Sequence, residues 1–265
     1  MMDNKVVIVT GANSGIGRCT AAILAQKGCT VYDFSRRDIK TDGISHISVD
    51  VTHEDRVRAA VMQVAEENGK IDIVINCAGF GISGAVEFTE LDEAKRQFDV
   101  NFFGLVNVTR AVIPFMRKNG GGRIVNISSV AAVANIPFQT YYSASKAAIE
   151  SYTQCLANEV KPFGITVTAV QPGDIKTGFT SARNKSFVGD DIYSGRISRS
   201  VAGMEKDENE GMSPERAGEY IASIALRSKV KPLYAIGGVY KLLSVLCKIF
   251  PCRIRNSIVG MLYAK

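Results

Sequence analysis

Tyr142 and Lys146 lie four residues apart in the run Tyr142-Ser143-Ala144-Ser145-Lys146. On a helix that spacing puts both side chains on one face, with Cβ atoms about 5–6 Å apart. An ammonium beside a phenol favours the tyrosinate and pulls the phenol below its ordinary pKa of about 10. A tyrosine tuned in this way passes a proton to or from a substrate oxygen near neutral pH. Tyr141 competes for the role, but only Tyr142 is four residues from Lys146. Such a pair alone is common on helix surfaces, so the weight falls on its company. Ser129, or its neighbour Ser128, follows the apolar run Ile124–Ile127, which reads as a strand. Ligands of open α/β sheets bind beyond the carboxyl ends of strands. A hydroxyl there can donate to a carbonyl oxygen on which charge develops.

A second group with chemical meaning is the loop Thr10-Gly11-Ala12-Asn13-Ser14-Gly15-Ile16-Gly17, between an apolar strand and a helix. Gly11 permits a tight turn, Gly15 a close approach of a pyrophosphate, and Gly17 close helix–sheet packing. The helix N-terminus then offers free N–H groups to phosphates. Gly-x-x-x-Gly-x-Gly has one residue more between its first two glycines than the usual dinucleotide fingerprint. It resembles the TGxxxGxG loop of the short-chain dehydrogenase/reductase family. Asn76-Cys77-Ala78-Gly79 stands where that family has NNAG, with Cys77 for the second Asn, and Pro172-Gly173 follows a later strand. Ser129 precedes Tyr142 by thirteen residues, the family spacing, which selects it over Ser128. The resemblance runs from about Lys5 to Ile236 and is closest in look to the 17β-hydroxysteroid and retinol dehydrogenase branch.

This resemblance implies hydride transfer between a nicotinamide and a carbinol carbon, with Tyr142 handling the oxygen's proton. It gives Lys146 a second task, holding the nicotinamide ribose. Asn101, in Asn101-Phe102-Phe103-Gly104, matches the family asparagine whose backbone holds a water in the proton relay. The cofactor would be lined by Gly11, Asn13, Ser14, Gly15, Ile16, Gly17, Ser35, Arg36, Arg37, Asp50 and Val51. Asn76, Ala78, Gly79, Tyr142, Lys146, Pro172, Gly173, Ile175 and Thr177 would complete the site. Ser35-Arg36-Arg37 stands where an acidic residue would select NAD, and a guanidinium there holds a 2′-phosphate. NADP(H) is therefore expected. The competing signal for NAD(H) is Asp33, two residues earlier on the same strand face.

The elements that must position these residues alternate along the chain. Strands are expected at Val6–Thr10, Thr30–Phe34, Ile47–Val49, Ile71–Ile75, Ile124–Ile127, Ile165–Val170 and Leu233–Ile236. Helices are expected at Ile16–Lys27, Glu54–Asn68, Glu90–Arg117 (bent or interrupted at Pro114), Tyr142–Lys161 and Pro214–Arg227. Doubly apolar strands alternating with helices mean a parallel sheet covered on both faces. One doubly wound Rossmann domain with seven strands, residues 1–238, is the economical arrangement. The polar stretch 177–211 reads as one long irregular substrate loop.

The net charge of +6 is confined to the tail: from Tyr220 onward there are eight Lys/Arg and no Asp or Glu, which leaves the first 219 residues at −2. A nucleic-acid partner is therefore not expected. Two histidines and six scattered cysteines without a CxxC pair argue against a metal centre or a disulfide framework. No signal peptide or membrane span is apparent, so a cytoplasmic protein is expected. Residues 239–265 form an amphipathic helical extension. Lys241, Ser244 and Lys248 lie on one face of its first helix, and Ile254, Ile258, Met261 and Leu262 form a stripe on Arg253–Ala264. These helices are expected to pack on the body and roof the pocket, or to rest on a membrane surface.

The Phe80–Gly84 segment, Phe102-Phe103 and the run to Phe138 supply apolar walls, and the branch resemblance points to a hydroxysteroid or similar bulky alcohol. The rival enzyme is a 3-oxoacyl-thioester reductase, and a non-catalytic NADP-sensing protein is the rival from another class. No Gly-x-Ser-x-Gly elbow supports a serine hydrolase. The family resemblance implies a homodimer through the helices at Glu90–Arg117 and Tyr142–Lys161, or a tetramer if the tail leaves a second interface open.

Overall fold

Val6–Thr10 (β1) is buried at every position, and its alternating side chains feed two separate cores. Val6 and Ile8 face one core and Val7 and Val9 the other, as a strand covered on both faces requires. The computed structural model describes residues 4–38 and 40–263; positions 1–3, 39 and the end of the tail, 264–265, lie outside the described residues. The remaining strands are Thr30–Ser35 (β2), Ile44–Ser48 (β3), Ile73–Asn76 (β4), Gly122–Ile127 (β5), Ile165–Pro172 (β6) and Leu233–Ile236 (β7). They form one seven-stranded parallel sheet in the order β3-β2-β1-β4-β5-β6-β7. The order reverses between β1 and β4, so a crevice opens where the glycine loop and Asn76–Gly79 leave the sheet.

Gly15–Gln26 (α1) and Glu54–Asn68 (α2) take opposite faces. The α2 face also holds Gly104–Lys118 (α4) and Thr140–Val160 (α5), through Val57, Val61, Val108, Val112 and Leu156. Between α2 and α4 in the chain stands the short helix Leu91–Phe98 (α3). Beyond α5 come Arg196–Asn209 (α6) and Pro214–Leu226 (α7). Helix α7 lies against α1, with Ile221 and Ala222 beside Ala21 and Leu24. Gly218 allows that approach, since a Cβ there would lie 2.9 Å from Cys19. The Ser213 hydroxyl caps α7 by accepting from the Arg216 N–H at 3.3 Å, a contact worth about 1 kcal/mol.

Three expectations change. The break in the helix expected over Glu90–Arg117 is not at Pro114, which lies inside α4. It falls at Asp99–Phe103, a π-helical turn that contains Asn101. Pro114 removes the N–H that would bond the Arg110 carbonyl, and Arg110 is exposed, so water can replace it. The third strand begins at Ile44 rather than Ile47. The stretch 177–211 is largely structured: it holds a turn of helix at Phe179–Ala182, a parallel pairing of Asn184–Lys185 with Ile82–Ser83, and all of α6.

The tail forms Gly238–Ile249 (α8) and Cys252–Tyr263 (α9). Its inner face is not the apolar one that patterning suggests. Ser244 is buried and donates to Gln171 Oε1 at 2.8 Å, while Tyr240 donates to Asp174 and Tyr263 to Asp207 at 3.1 Å. Polar side chains pointing inward leave Val239, Leu242, Val245 and Ile249 outside, the first 76% and the last 69% exposed. Ile254, Ile258, Met261 and Leu262 continue the exposed apolar surface on α9. Lys241 rests over the Tyr220 ring at 5.3 Å; the Lys248 side chain lies outside those described.

Candidate active site

Three side chains that the sequence analysis pairs by spacing meet beyond the carboxyl ends of β4, β5 and β6. Tyr142 and Lys146 rise from the first two turns of α5, and Ser129 lies just past β5. The Ser129 hydroxyl is hydrogen-bonded to Tyr142 and accepts from the Ala131 N–H at 3.1 Å. Ser128 is turned away: it donates to the Lys146 carbonyl at 3.1 Å and to Glu150 at 2.8 Å. Glu150 also accepts from Gln171 at 2.7 Å. A buried polar chain thus runs from the Lys146 backbone through Ser128, Glu150 and Gln171 to Ser244 of the tail.

The protonation of the pair differs from expectation. Burial pushes the Tyr142 hydroxyl up to about 12, against the smaller opposing effects of the Ser129 hydrogen bond and the Arg183 charge. The Lys146 ammonium, which donates to the Ile127 carbonyl at 2.9 Å and stands 5.6 Å from the Tyr142 ring centroid, does not offset this burial. Burial holds Lys146 itself down to about 8. The same environment raises the neighbouring Cys77 thiol to about 11, so Cys77 is a neutral thiol near neutral pH.

Asn101 is fully buried in the π-helical turn, a local expansion of the helix that recurs at functional sites. Its Oδ1 accepts from the Phe80 N–H at 3.0 Å. Its Nδ2 donates to the Phe80 carbonyl at 3.0 Å and to Ser145 at 3.3 Å. A Cβ on Gly79 would lie 3.1 Å from Asn101 Oδ1 and 3.8 Å from Lys146 Nζ, so the absence of a side chain there lets Asn101 and Lys146 approach the turn.

The glycine loop is braced from both sides. Thr10 Oγ1 accepts from the N–H groups of Cys77 and Ala78, each at 3.0 Å. Gly11 has φ +70° and lies against Ala78; a side chain there would be strained as well as crowded. Ser14 begins α1 without a side-chain cap, so the first-turn N–H groups remain available to an anion. Thr177 faces Gly15, and both line a groove of about 580 Å³ with Arg18, Lys176, Gly178 and Glu215. Ile175 is buried and bridges to Met212. These features fit a dinucleotide laid across the switch point.

At the end of β2, Arg36 and Arg37 are exposed, while Ser35 is buried and donates to Asp33 at 2.6 Å. Asp33 also accepts from the Ala12 N–H at 2.9 Å and contacts His46 at 2.9 Å. Oδ1 thus fixes the glycine loop while Oδ2 is engaged by Ser35 and His46, and this full occupancy argues against the ribose role. Asp50 accepts twice from Thr52; its carboxyl is held below the usual range by these bonds and the Arg36 charge, against the effect of burial. Val51 packs against Gly104. Asn76 turns its amide into the sheet, donating to Asn126 at 2.9 Å.

Sequence reasoning missed Phe179 and Arg183. The Phe179 ring lies 5.6 Å from the Tyr142 ring, and the Arg183 guanidinium lies 5.6 Å from Phe179. Their spacing of four was the available signal, hidden in a stretch read as irregular.

The short chain dehydrogenase family profile matches residues 5–186. The chain is 43% identical over 244 residues to a 3-ketodihydrosphingosine reductase of Bacteroides thetaiotaomicron, covering 89% of this chain and 91% of that protein. It is 35% identical over 190 residues to a 3-oxoacyl-(acyl-carrier-protein) reductase of Thermotoga maritima, covering 68% and 77%. Among solved structures, a short-chain dehydrogenase from Streptomyces avermitilis superposes with a TM-score of 0.84 at 30% identity, covering 99% of this chain and 96% of that one. With its doubly wound sheet, its braced glycine loop and this extent of likeness, the chain belongs to the short-chain dehydrogenase/reductase family of oxidoreductases.

Proposed function

We propose that the protein is an NADP(H)-dependent ketoreductase of long-chain amphipathic ketones of the 3-keto sphingoid base type. The carrying observation is the convergence of Ser129, Tyr142 and Lys146 past β5, in a chain 43% identical to a reductase named for such a substrate. When bound, the nicotinamide supplies or accepts the hydride. Tyr142, protonated at neutral pH, gives the carbonyl oxygen its proton. Ser129 donates a hydrogen bond to the same oxygen and keeps the phenol oriented. Lys146 orients the cofactor ribose and, through Asn101 and its turn, resupplies the proton. Arg36 and Arg37 offer the fork geometry that suits a 2′-phosphate, which supports NADP(H) over NAD(H).

The apolar walls expected for a steroid serve an alkyl chain equally, so steroids belong in the test. Purified protein is given NADPH with a 3-keto sphingoid base, a ketosteroid and a 3-oxoacyl thioester, and the nicotinamide absorbance is followed. Turnover of the first alone supports this reading. Selective turnover of the carrier-linked thioester would replace it with the second reading, which the Thermotoga relative favours.

The division into a body, 1–238, and an extension, 239–265, is part of the proposal, as is a cytoplasmic protein held at a membrane surface. Among the described residues no helix is long and apolar enough to cross a membrane. The outward faces of α8 and α9 instead combine apolar residues with an extension that carries five Lys/Arg and no acid, the composition of an element lying in an anionic interface. A long-chain substrate would be met there. Exposed Leu91 and Phe103 beside α3 and α4 and Phe163 after α5 support a homodimer through those helices.

A further inference from the structure

Arg183 is a guanidinium whose side chain is 1% exposed, in the segment that covers Tyr142. Its Nη2 pairs with Glu208. Its Nε and Nη1 are buried and have no hydrogen-bond partner. Leaving such donors unmet costs more than a made bond returns, and orphaned buried polar groups in a native site call for an explanation. Phe179 separates Arg183 from Tyr142 by one ring. Gly81 makes the room: a Cβ there would lie 3.0 Å from Phe179 and 3.4 Å from Arg183 Nε.

Three carboxylates interact around this guanidinium. Glu208 also accepts from Thr180 at 2.6 Å, Asp207 accepts from Tyr263, and Asp174 accepts from Tyr240. One cation among three acids leaves the cluster with surplus negative charge. Burial, with Asp207 and Glu208 nearby, holds the Asp174 carboxyl above its usual range. A second cation would relieve that cluster, whereas an anion would add to it.

Resting on the ketoreductase reading, we infer that Arg183, Asp174, Asp207 and Glu208 form a head-group subsite for ketones that carry a hydroxyl and an ammonium close to the reacting carbon. The hydroxyl oxygen accepts from one of the unpartnered N–H groups of Arg183. The ammonium sits among the carboxylates. The same surplus charge turns away a carboxylate or phosphate in that position, so discrimination comes from repulsion as well as attraction. Because Tyr240 and Tyr263 belong to the tail, the tail completes this subsite.

The test compares wild type, Arg183→Gln, Arg183→Lys and Asp174→Asn on three ketones of equal chain length: the 2-amino-1-hydroxy-3-ketone, its N-acetyl form, and a plain ketone. Binding of the matching saturated 2-amino-1,3-diol is measured in parallel by calorimetry. Wild type should favour the amino-hydroxy ketone, and Arg183→Gln should narrow that preference by about tenfold, chiefly through KM. Asp174→Asn should narrow the gap between the amine and its N-acetyl form. Arg183→Lys should restore part of the preference, and diol affinity should fall in step. Equal losses on all three ketones would mean a structural ion pair and overturn the subsite, as would a wild type indifferent to the head group. If wild type reduces none of the three, the ketoreductase reading falls instead.

Discussion

Lys146 Nζ stands 2.9 Å from the carbonyl oxygen of Ile127, so one of its three N–H groups is held at the end of β5 and two remain for the cofactor ribose and the proton relay. Burial then sets the two groups in opposite directions, Tyr142 up to about 12 and Lys146 down to about 8. The phenol is the acid form at every pH below about 12, which suits reduction. Deprotonation of Lys146 removes the ammonium that orients the ribose and resupplies the proton. Reduction should therefore be level through neutral pH and decline above about 8, while alcohol oxidation, which needs a proton acceptor, should gain with rising pH. The pH profile of kcat/KM in both directions checks this, and Lys146→Met should lose the alkaline limb seen in reduction.

Tyr142→Phe should lower kcat by about 10²–10⁴-fold, the usual contribution of a positioned acid, with cofactor affinity retained. Single-turnover rates and NADPH fluorescence titration separate the two. Turnover close to wild type would remove Tyr142 from its role.

Arg36→Ala should weaken NADP(H) by about tenfold or more through the loss of charge-assisted bonds to the 2′-phosphate, with NAD(H) little changed. Equal weakening of both would locate cofactor choice elsewhere. The comparison needs only Kd values for the two reduced cofactors.

Replacing Leu242 and Ile249 with Ser should lower the fraction of protein sedimenting with anionic vesicles by about tenfold or more per buried side chain. The same variants should leave thermal stability close to wild type, because both side chains face outward. A shift in oligomeric state with no change in vesicle binding would assign this surface to a second copy of the chain.

The sheet was legible because doubly buried strands such as Ile124–Ile127 are apolar without interruption. The site was legible because Tyr142, Lys146 and Ser129 keep fixed spacings across a helix and a strand end. Two kinds of information were not in the local pattern. The π-helical turn at Asn101 depends on its contacts with Phe80 and Ser145, and Pro114 was the louder signal nearby. The inward face of α8 was misread for a different reason. Ser244 finds a buried partner in Gln171, 73 residues away in sequence, and no helical periodicity reports a bond across that distance. Arg183 was hidden likewise, since its charge reads as a solvated loop until Glu208 folds over it.

Pro172-Gly173 reads as a cofactor turn, yet Gly173 has a second constraint. A Cβ there would overlap the Tyr240 ring of the tail, so Gly173→Ala should unseat α8 and destabilise the protein by about 1–3 kcal/mol, which a melting curve checks. The glycine therefore answers to the architecture independently of the chemistry. A descendant of this chain that had lost all activity would still have to keep Gly173 for as long as it kept Tyr240, because the docked tail demands the glycine as firmly as the cofactor turn does.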